Sequence, residues 1–337
     1  MKQQAGPILV TGATGNTGRA IVDALAERGA PVRAMVRTEA DRSKLRAGVE
    51  VVVADFDEPA AVAAALEGAE RAYLVTPSSG QAEEQQKRFA DLAAKAGTRH
   101  LVVLSQLGSD EHSPVRFLRY HAAVEQHVRN LGIGYTFLRP NLYLQGLLMF
   151  AGSISTEGTF FAPIGDARVS AVDVRDIAEV AAVALTKAGH EGATYTLTGP
   201  EAITHSQIAA ALTAALGRTV RFIDVPPEAF ADNIRGLLPS WQVDGLLEDY
   251  AHYRRGEAAE GSPAIAQITG TAPRSVEQFA RDYAAVFAGQ SSQELPVCEQ
   301  LGEEGARRRR RAPGGGRRHQ DPPVQRRTVD RYPRHGS

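Results

Sequence analysis

Gly12, Gly15 and Gly18, three residues apart in Thr11-Gly-Ala-Thr-Gly-Asn-Thr-Gly18, have the spacing in this chain that bears most directly on chemistry. In a glycine triplet of this kind the first Gly permits a tight turn and the second lets a diphosphate approach the backbone. The third lets a helix pack close to a strand. Ala13, Thr14, Asn16 and Thr17 fill the turn between them. The chemistry is anion binding, because backbone N–H groups and the positive end of a helix meet phosphate charge. Such a triplet needs a strand before it and a helix after it. Residues 8–10 form a buried-strand run, and residues 19–28 have the period of an amphipathic helix. The chain therefore reads as opening on a dinucleotide-binding βα unit.

The elements that must hold this unit alternate along the first half. Strands are expected at residues 32–36, 49–53, 71–75, 100–104 and 135–138, and helices at 39–47, 60–66, 82–96 and 118–130. Strict β/α alternation, with strands apolar on both faces, predicts an α/β fold with a Rossmann-type, doubly wound parallel sheet. After about Leu142 the rhythm changes. Residues 193–198 return one strand to the sheet. Helices at 206–216, 228–235, 241–254 and 275–287 surround a short strand at 220–225, as in a smaller α/β C-terminal lobe. The expected divisions are a nucleotide-binding domain at 5–150, a substrate lobe at 151–289 and a tail at 290–337. Clefts between such lobes are where ligands bind.

Composition bounds the partners. With 43% hydrophobic and 23% charged residues, 337 residues suffice for a soluble core and for more than one domain. The longest apolar stretch, 142–154, is short and interrupted by Gln145 and Gly146, so no membrane partner is expected. Nothing after Lys2 reads as a secretion signal, which makes the cytoplasm the expected location. Cys298 is the only cysteine; an internal disulfide and any Cys-based metal or redox motif are excluded. The 9 His show no ligand spacing, and no metal is expected. The tail is Arg-rich and basic while the body is mildly acidic. Lacking an apolar period, residues 290–337 are expected to be disordered. Their Arg/Gly/Pro alphabet is also what GC-rich DNA yields out of frame, so a frameshift near 290 is the alternative to a native basic arm. A nucleic-acid partner would rest on that arm alone and is not expected.

With these elements in place, the chain resembles the NmrA-like branch of the atypical short-chain dehydrogenases/reductases, from about residue 7 to 288. The likeness is carried by Thr11 to Gly18, Val36-Arg37, Asp55, Leu74-Val-Thr-Pro77 and Leu138-Arg-Pro-Asn141, and later by Ala214-Ala-Leu-Gly-Arg218, Val225-Pro-Pro227 and Ser275-Val-Glu-Gln-Phe279. An NAD-selective site sets Asp or Glu at the end of the second strand to hold the ribose 2′-hydroxyl. Arg37 stands there instead, with Arg33, Arg42 and Lys44 near it in sequence, and guanidinium matches a 2′-phosphate. NADP(H) is the expected cofactor. By the resemblance, Asp55 and Phe56 border the adenine, while Thr76 and Pro77 line the ribose and diphosphate side.

Ordinary members of the superfamily carry Ser at the end of the fifth strand and then Tyr-x-x-x-Lys, often with Glu four residues on. Ser105 holds the first place; counting back from Glu125, His121 holds the Lys place and Phe117 the Tyr place. Tyr120 lies one residue before His121, a rotation of about 100° on a helix, and is expected to point elsewhere. Ser105 and His121 are thus the candidate catalytic residues, each with a plain structural alternative. A ketone that accepts hydride becomes an alkoxide with a conjugate acid of about 15.7, like water, and needs a proton donor. A quinone becomes a phenolate with a conjugate acid of about 10. The absent Tyr–Lys pair favours a quinone, or a polycyclic aromatic ketone with a neighbouring phenol. Asn141, Tyr143, Leu147, Leu148, Met149 and Phe150, with Phe160, Phe161 and Trp241, either wall such a flat substrate or are plain core. The resemblance admits two functions: an NADPH-dependent oxidoreductase with a small aromatic substrate, or a non-catalytic NADP(H) sensor that binds a protein partner.

Overall fold

A computed structural model describes residues 6–290; the readings of the tail, disorder and a frameshift, fall on residues outside that range. The strands are β1 (Ile8–Val10), β2 (Val32–Val36), β3 (Glu50–Val53), β4 (Arg71–Leu74), β5 (His100–Leu104), β6 (Gly134–Pro140), β7 (Thr159–Ala162), β8 (Ala193–Leu197) and β9 (Arg221–Asp224). Seven of them form one parallel sheet in the order β3-β2-β1-β4-β5-β6-β8, and β7 and β9 pair separately, also parallel. This is the expected doubly wound sheet with a smaller α/β unit.

The helices are α1 (Asn16–Glu27), α2 (Pro59–Leu66), α3 (Ala82–Lys95), α4 (Arg116–Arg129), α5 (Ala151–Glu157) and α6 (Val174–Thr186). They continue as α7 (His205–Leu216), α8 (Pro227–Ile234), α9 (Ser240–Arg254), α10 (Ala264–Thr269), α11 (Val276–Asp282) and α12 (Ala284–Phe287). Ile21 and Leu25 of α1 pack with Ile177 and Leu185 of α6 on one face of the large sheet. Leu66, Phe89 and Val124, from α2, α3 and α4, cover the other face. A third core, including Phe160, Leu212, Phe230 and Phe279, joins β7 to α7, α8 and α11.

Helix α6 was not expected. Among its residues only Arg175, Glu179 and Thr186 escape burial, and they make one narrow polar stripe on an otherwise buried, apolar helix. It packs in the same core as α1, and Ile265 of α10 joins them there. Strand β8 returns to the large sheet as expected, and α6 and α10 pack in the same core, so the span 151–289 is not all smaller lobe. Strand β7 was also unassigned. A 3-10 turn over Glu39–Lys44 stands where a longer helix was expected, and the helix expected over 275–287 is broken at Tyr283 (φ −102°, ψ 10°).

One junction joins α9 to α4. In α9, a Cβ on Gly245 would stand 2.3 Å from the Phe117 ring of α4. Trp241 packs on the same ring with centroids 5.3 Å apart, and the Arg116 guanidinium grips the Glu248 carboxylate at 2.7–3.1 Å. Gly245→Ala is expected to lower stability by about 1–3 kcal/mol, the scale of overpacking. Combined with Phe117→Leu it should cost less than the sum of the two single changes. Thermal melts of the three variants check this; additive losses would show that the two positions are uncoupled.

Candidate functional site

Strand order reverses between β1 and β4, and in open parallel sheets ligands lie beyond the C-terminal ends of the strands at such a reversal. There Thr11 ties the two strands together: its hydroxyl accepts from the Val75 N–H at 2.8 Å and donates to the Val75 carbonyl at 2.9 Å. Gly12 has φ +57°, and a Cβ on it would meet the Val75 side chain at 2.6 Å. A Cβ on Gly18 would fall 2.1 Å from the Gly12 carbonyl oxygen. Helix α1 therefore approaches β1 as closely as backbone allows. Gly15 precedes α1 in extended conformation, no side chain caps the helix, and no acidic residue occupies its first turn. Its first N–H groups have no partner within the helix, and the positive end of the dipole faces outward. This cradle fits a dinucleotide diphosphate. Ala13 and Thr17 are buried beside it, with Thr14 and Asn16 half-buried.

The other expected cofactor residues follow neighbouring strands at the same edge. Exposed Arg37 comes directly after β2. Asp41, four residues on, accepts from the Thr38 N–H and hydroxyl at 3.1 and 2.8 Å and pairs with Lys44 at 3.0 Å. Arg33 is a correction. It sits at the start of β2, bonded to Glu50 and to the carbonyls of Ala65 and Glu67, at the opposite end of the strand from Arg37. Arg42 is bonded to Glu39. Asp55 accepts from the Asp57 N–H at 3.0 Å, and the Phe56 ring is buried edge-on to Phe89. Thr76 is buried with its hydroxyl bonded to Gln86 at 2.8 Å, and Pro77 is exposed.

Ser105 ends β5 as expected, but its hydroxyl proton goes to Glu125 Oε1 at 2.6 Å. Glu125 is fully buried and also receives Arg139 in a two-pronged contact at 2.8 and 2.6 Å and Arg129 at 2.8 Å. Burial pushes the Glu125 pKa up, and the two guanidiniums and Ser105 outweigh it, leaving a carboxylate below its ordinary range. This bonding favours the structural reading of Ser105. His121 is only 8% exposed, and its Nδ1 is buried without a hydrogen-bond partner among the described residues. Burial, opposed by Glu125 and assisted by Arg139, pulls its pKa down to about 3, so the ring is neutral near pH 7. Tyr120 does not point away. The inward face of α4 is broad enough to bury both residues, and the two rings touch, tilted by 34°, with centroids 4.1 Å apart. Ser78, just past Pro77, faces the Tyr120 hydroxyl. Phe117 fills the junction with Gly245 and Trp241.

Most of the expected substrate wall is core. Leu147, Leu148, Phe150 and Phe160 are buried in the third core, with Met149 and Phe161 packed against it. The Asn141 amide is bonded to Ser170 and to the Ala258 carbonyl, and Trp241 lies on Phe117 and Tyr120. Sequence reasoning missed a polar group under α9. Gln106, immediately after Ser105, donates its Nε2 to both Asp249 oxygens at 3.1 Å. Burial raises the pKa values of Tyr120, Tyr250 and Tyr253, and nearby Asp249 adds to each rise, as Tyr143 does for Tyr253. No motif marks Asp249; the only available signal was Gln106 next to a flagged Ser.

Ser105→Ala should lower stability by about 1.5–3 kcal/mol, the scale of a hydrogen bond to a charged group, and leave NADPH affinity unchanged. Calorimetry and thermal melts decide. An intact melting temperature with loss of turnover would make Ser105 a substrate ligand.

The NmrA-like family model matches residues 4–279. An NAD(P)H azoreductase from Xenophilus azovorans is 36% identical over 282 residues, 83% of this chain and 99% of that protein. A (4-alkanoyl-5-oxo-2,5-dihydrofuran-3-yl)methyl phosphate reductase from Streptomyces griseus is 37% identical, also over 83% of this chain and 99% of that protein. The crystal structure of an NADPH-dependent quinone oxidoreductase from Escherichia coli complexed with NADPH superposes with a TM-score of 0.73 at 29% identity, covering 82% of this chain and 99% of that one. The glycine cradle at the strand-order reversal, the two-sheet architecture and these matches agree: the chain belongs to the NmrA-like family.

Proposed function

We propose that this chain is an NADPH-dependent oxidoreductase whose acceptor is a quinone or a polycyclic aromatic ketone. When bound, the reduced nicotinamide supplies a hydride, which is two electrons and one proton. In this reading the β1–α1 turn from Gly12 to Gly18 holds the diphosphate, Arg37 the 2′-phosphate, and Thr76 and Pro77 the ribose side. The relatives' names support the reductase class: an azo group, an oxo-dihydrofuran and a quinone are all electron-poor conjugated acceptors.

The observation that carries the acceptor class is the pair Phe117 and His121. A phenyl ring packed on Gly245 has no proton to give, and a neutral imidazole with a pKa of about 3 cannot acidify a neighbouring phenol as an ammonium would. An acceptor whose reduced oxygen is only as basic as a phenolate suits a site to which α4 brings no proton donor.

The test is NADPH oxidation against a panel of quinones, polycyclic ketones and isolated ketones, with turnover expected to be highest for the quinones. Tight NADPH binding without turnover of any acceptor would favour the sensor. Arg37→Asp should weaken NADPH by about ten- to a hundredfold, the value of a charge-assisted hydrogen bond, and spare NADH. An unchanged ratio of the two affinities would remove Arg37 from the site. His121→Phe should cost less than about tenfold in kcat with a quinone, below the usual 10²–10⁴ of general acid catalysis. A thousandfold loss would make His121 the acid.

A further inference from the structure

We propose that Asp249, held under α9 by Gln106 at the end of β5, is the proton donor to the acceptor oxygen. The inference rests on the reductase reading above. Its ground is the way this carboxyl is housed. Asp249 is 6% exposed, and its one recorded side-chain donor, the Gln106 Nε2, is shared between the two oxygens at 3.1 Å each. Among the described residues no Lys, Arg or His forms an ion pair with it, whereas Glu125 is paired with two guanidiniums. One amide N–H and no cation is poor solvation for a carboxylate and adequate for a carboxylic acid.

The groups that bear on Asp249 are all neutral or acidic. Gln106 faces it from the loop after β5 and Tyr120 from α4, while Glu248, Tyr250 and Tyr253 belong to its own helix. Burial pushes its pKa up to about 7, with Glu248 adding to the rise and Gln106 opposing it. An acid poised near the working pH is the one Brønsted behaviour favours. Position agrees with this assignment. Gln106 follows β5 at the C-terminal edge of the sheet, where ligands of this fold lie, and α9 is clamped over that edge by Arg116–Glu248 and Phe117–Gly245.

The step balances. An acceptor that has gained hydride from reduced nicotinamide carries one oxygen as an anion. The Asp249 O–H bond breaks, its proton forms the O–H bond of the product, and the carboxylate recovers a proton from water.

The test uses the full chain, wild type and Asp249→Asn, with a quinone that the wild type reduces. Wild-type kcat should fall as pH rises through about 7, because the acid form is lost there. Asp249→Asn should lose at least tenfold and show no such limb. Gln106→Met, which removes the one bond that favours the carboxylate, should move the limb to higher pH. A second readout needs no turnover. A carboxyl whose pKa is 3.8 unfolded and about 7 folded makes the wild type lose stability between those values as pH rises. The melting temperature of Asp249→Asn should therefore gain on the wild type across that window. Equal pH profiles in wild type and Asp249→Asn, an unmoved limb in Gln106→Met, or parallel melting curves would each overturn the assignment while leaving the reductase reading standing. Absence of wild-type turnover with every acceptor overturns the reductase reading and the donor role that rests on it, whatever the melting curves show.

Discussion

Because Gly18 has no side chain, the first turn of α1 rests on the Gly12 carbonyl, and that contact fixes where the helix N-terminus points. The Cβ of any other residue at 18 would stand 2.1 Å from that oxygen and push the helix off the strand. On the far side α1 is held by α6, so the helix is packed from both directions. The Thr11 hydroxyl pins β1 to Val75, which keeps the loops after β1 and β4 at a constant separation. The other residues proposed for the cofactor, Arg37, Asp55, Thr76 and Pro77, follow strands whose places in the sheet are set by their register with β1 and its neighbours.

Two buried carboxyls near this edge are treated in opposite ways. Glu125 is surrounded by Arg129, Arg139 and the Ser105 hydroxyl, and remains charged. Breaking a buried ion pair by removing its cation costs about 3–5 kcal/mol. Among the described residues Asp249 has a single side-chain donor, the Gln106 amide, and burial pushes its pKa up to about 7. Titratable groups driven apart by their surroundings are a usual mark of acid–base assignment. The contrast argues that Glu125, with Ser105, builds the end of β5 and that Asp249 is the group with a proton to give.

Helix α9 brings Asp249 to this edge. It can lie close to α4 because Gly245 faces Phe117, a residue at the place where ordinary superfamily members carry Tyr. The same ring thus accounts for a missing phenol and for a close helix–helix contact.

Much of this was legible in the sequence because it is local or periodic. Strand–turn–helix around Gly12 to Gly18 follows from backbone sterics within a few residues, and β/α alternation names a parallel sheet. Arg37 could be read because its position relative to β2 is a matter of counting. Helix α6 was missed, because it is buried on nearly every side and its polar stripe is narrow, Arg175, Glu179 and Thr186 in an otherwise apolar run. The direction of Tyr120 depended on how wide a face α4 buries, which is set by its neighbours and not by α4 itself. Gln106 and Asp249 stand 143 residues apart, and each alone is an ordinary polar residue. The sequence by itself determined the fold class and the anion cradle, since these follow from backbone conformation and spacing. The environment of each buried charge was decided only by the tertiary structure, because desolvation and pairing depend on what distant segments bring against it.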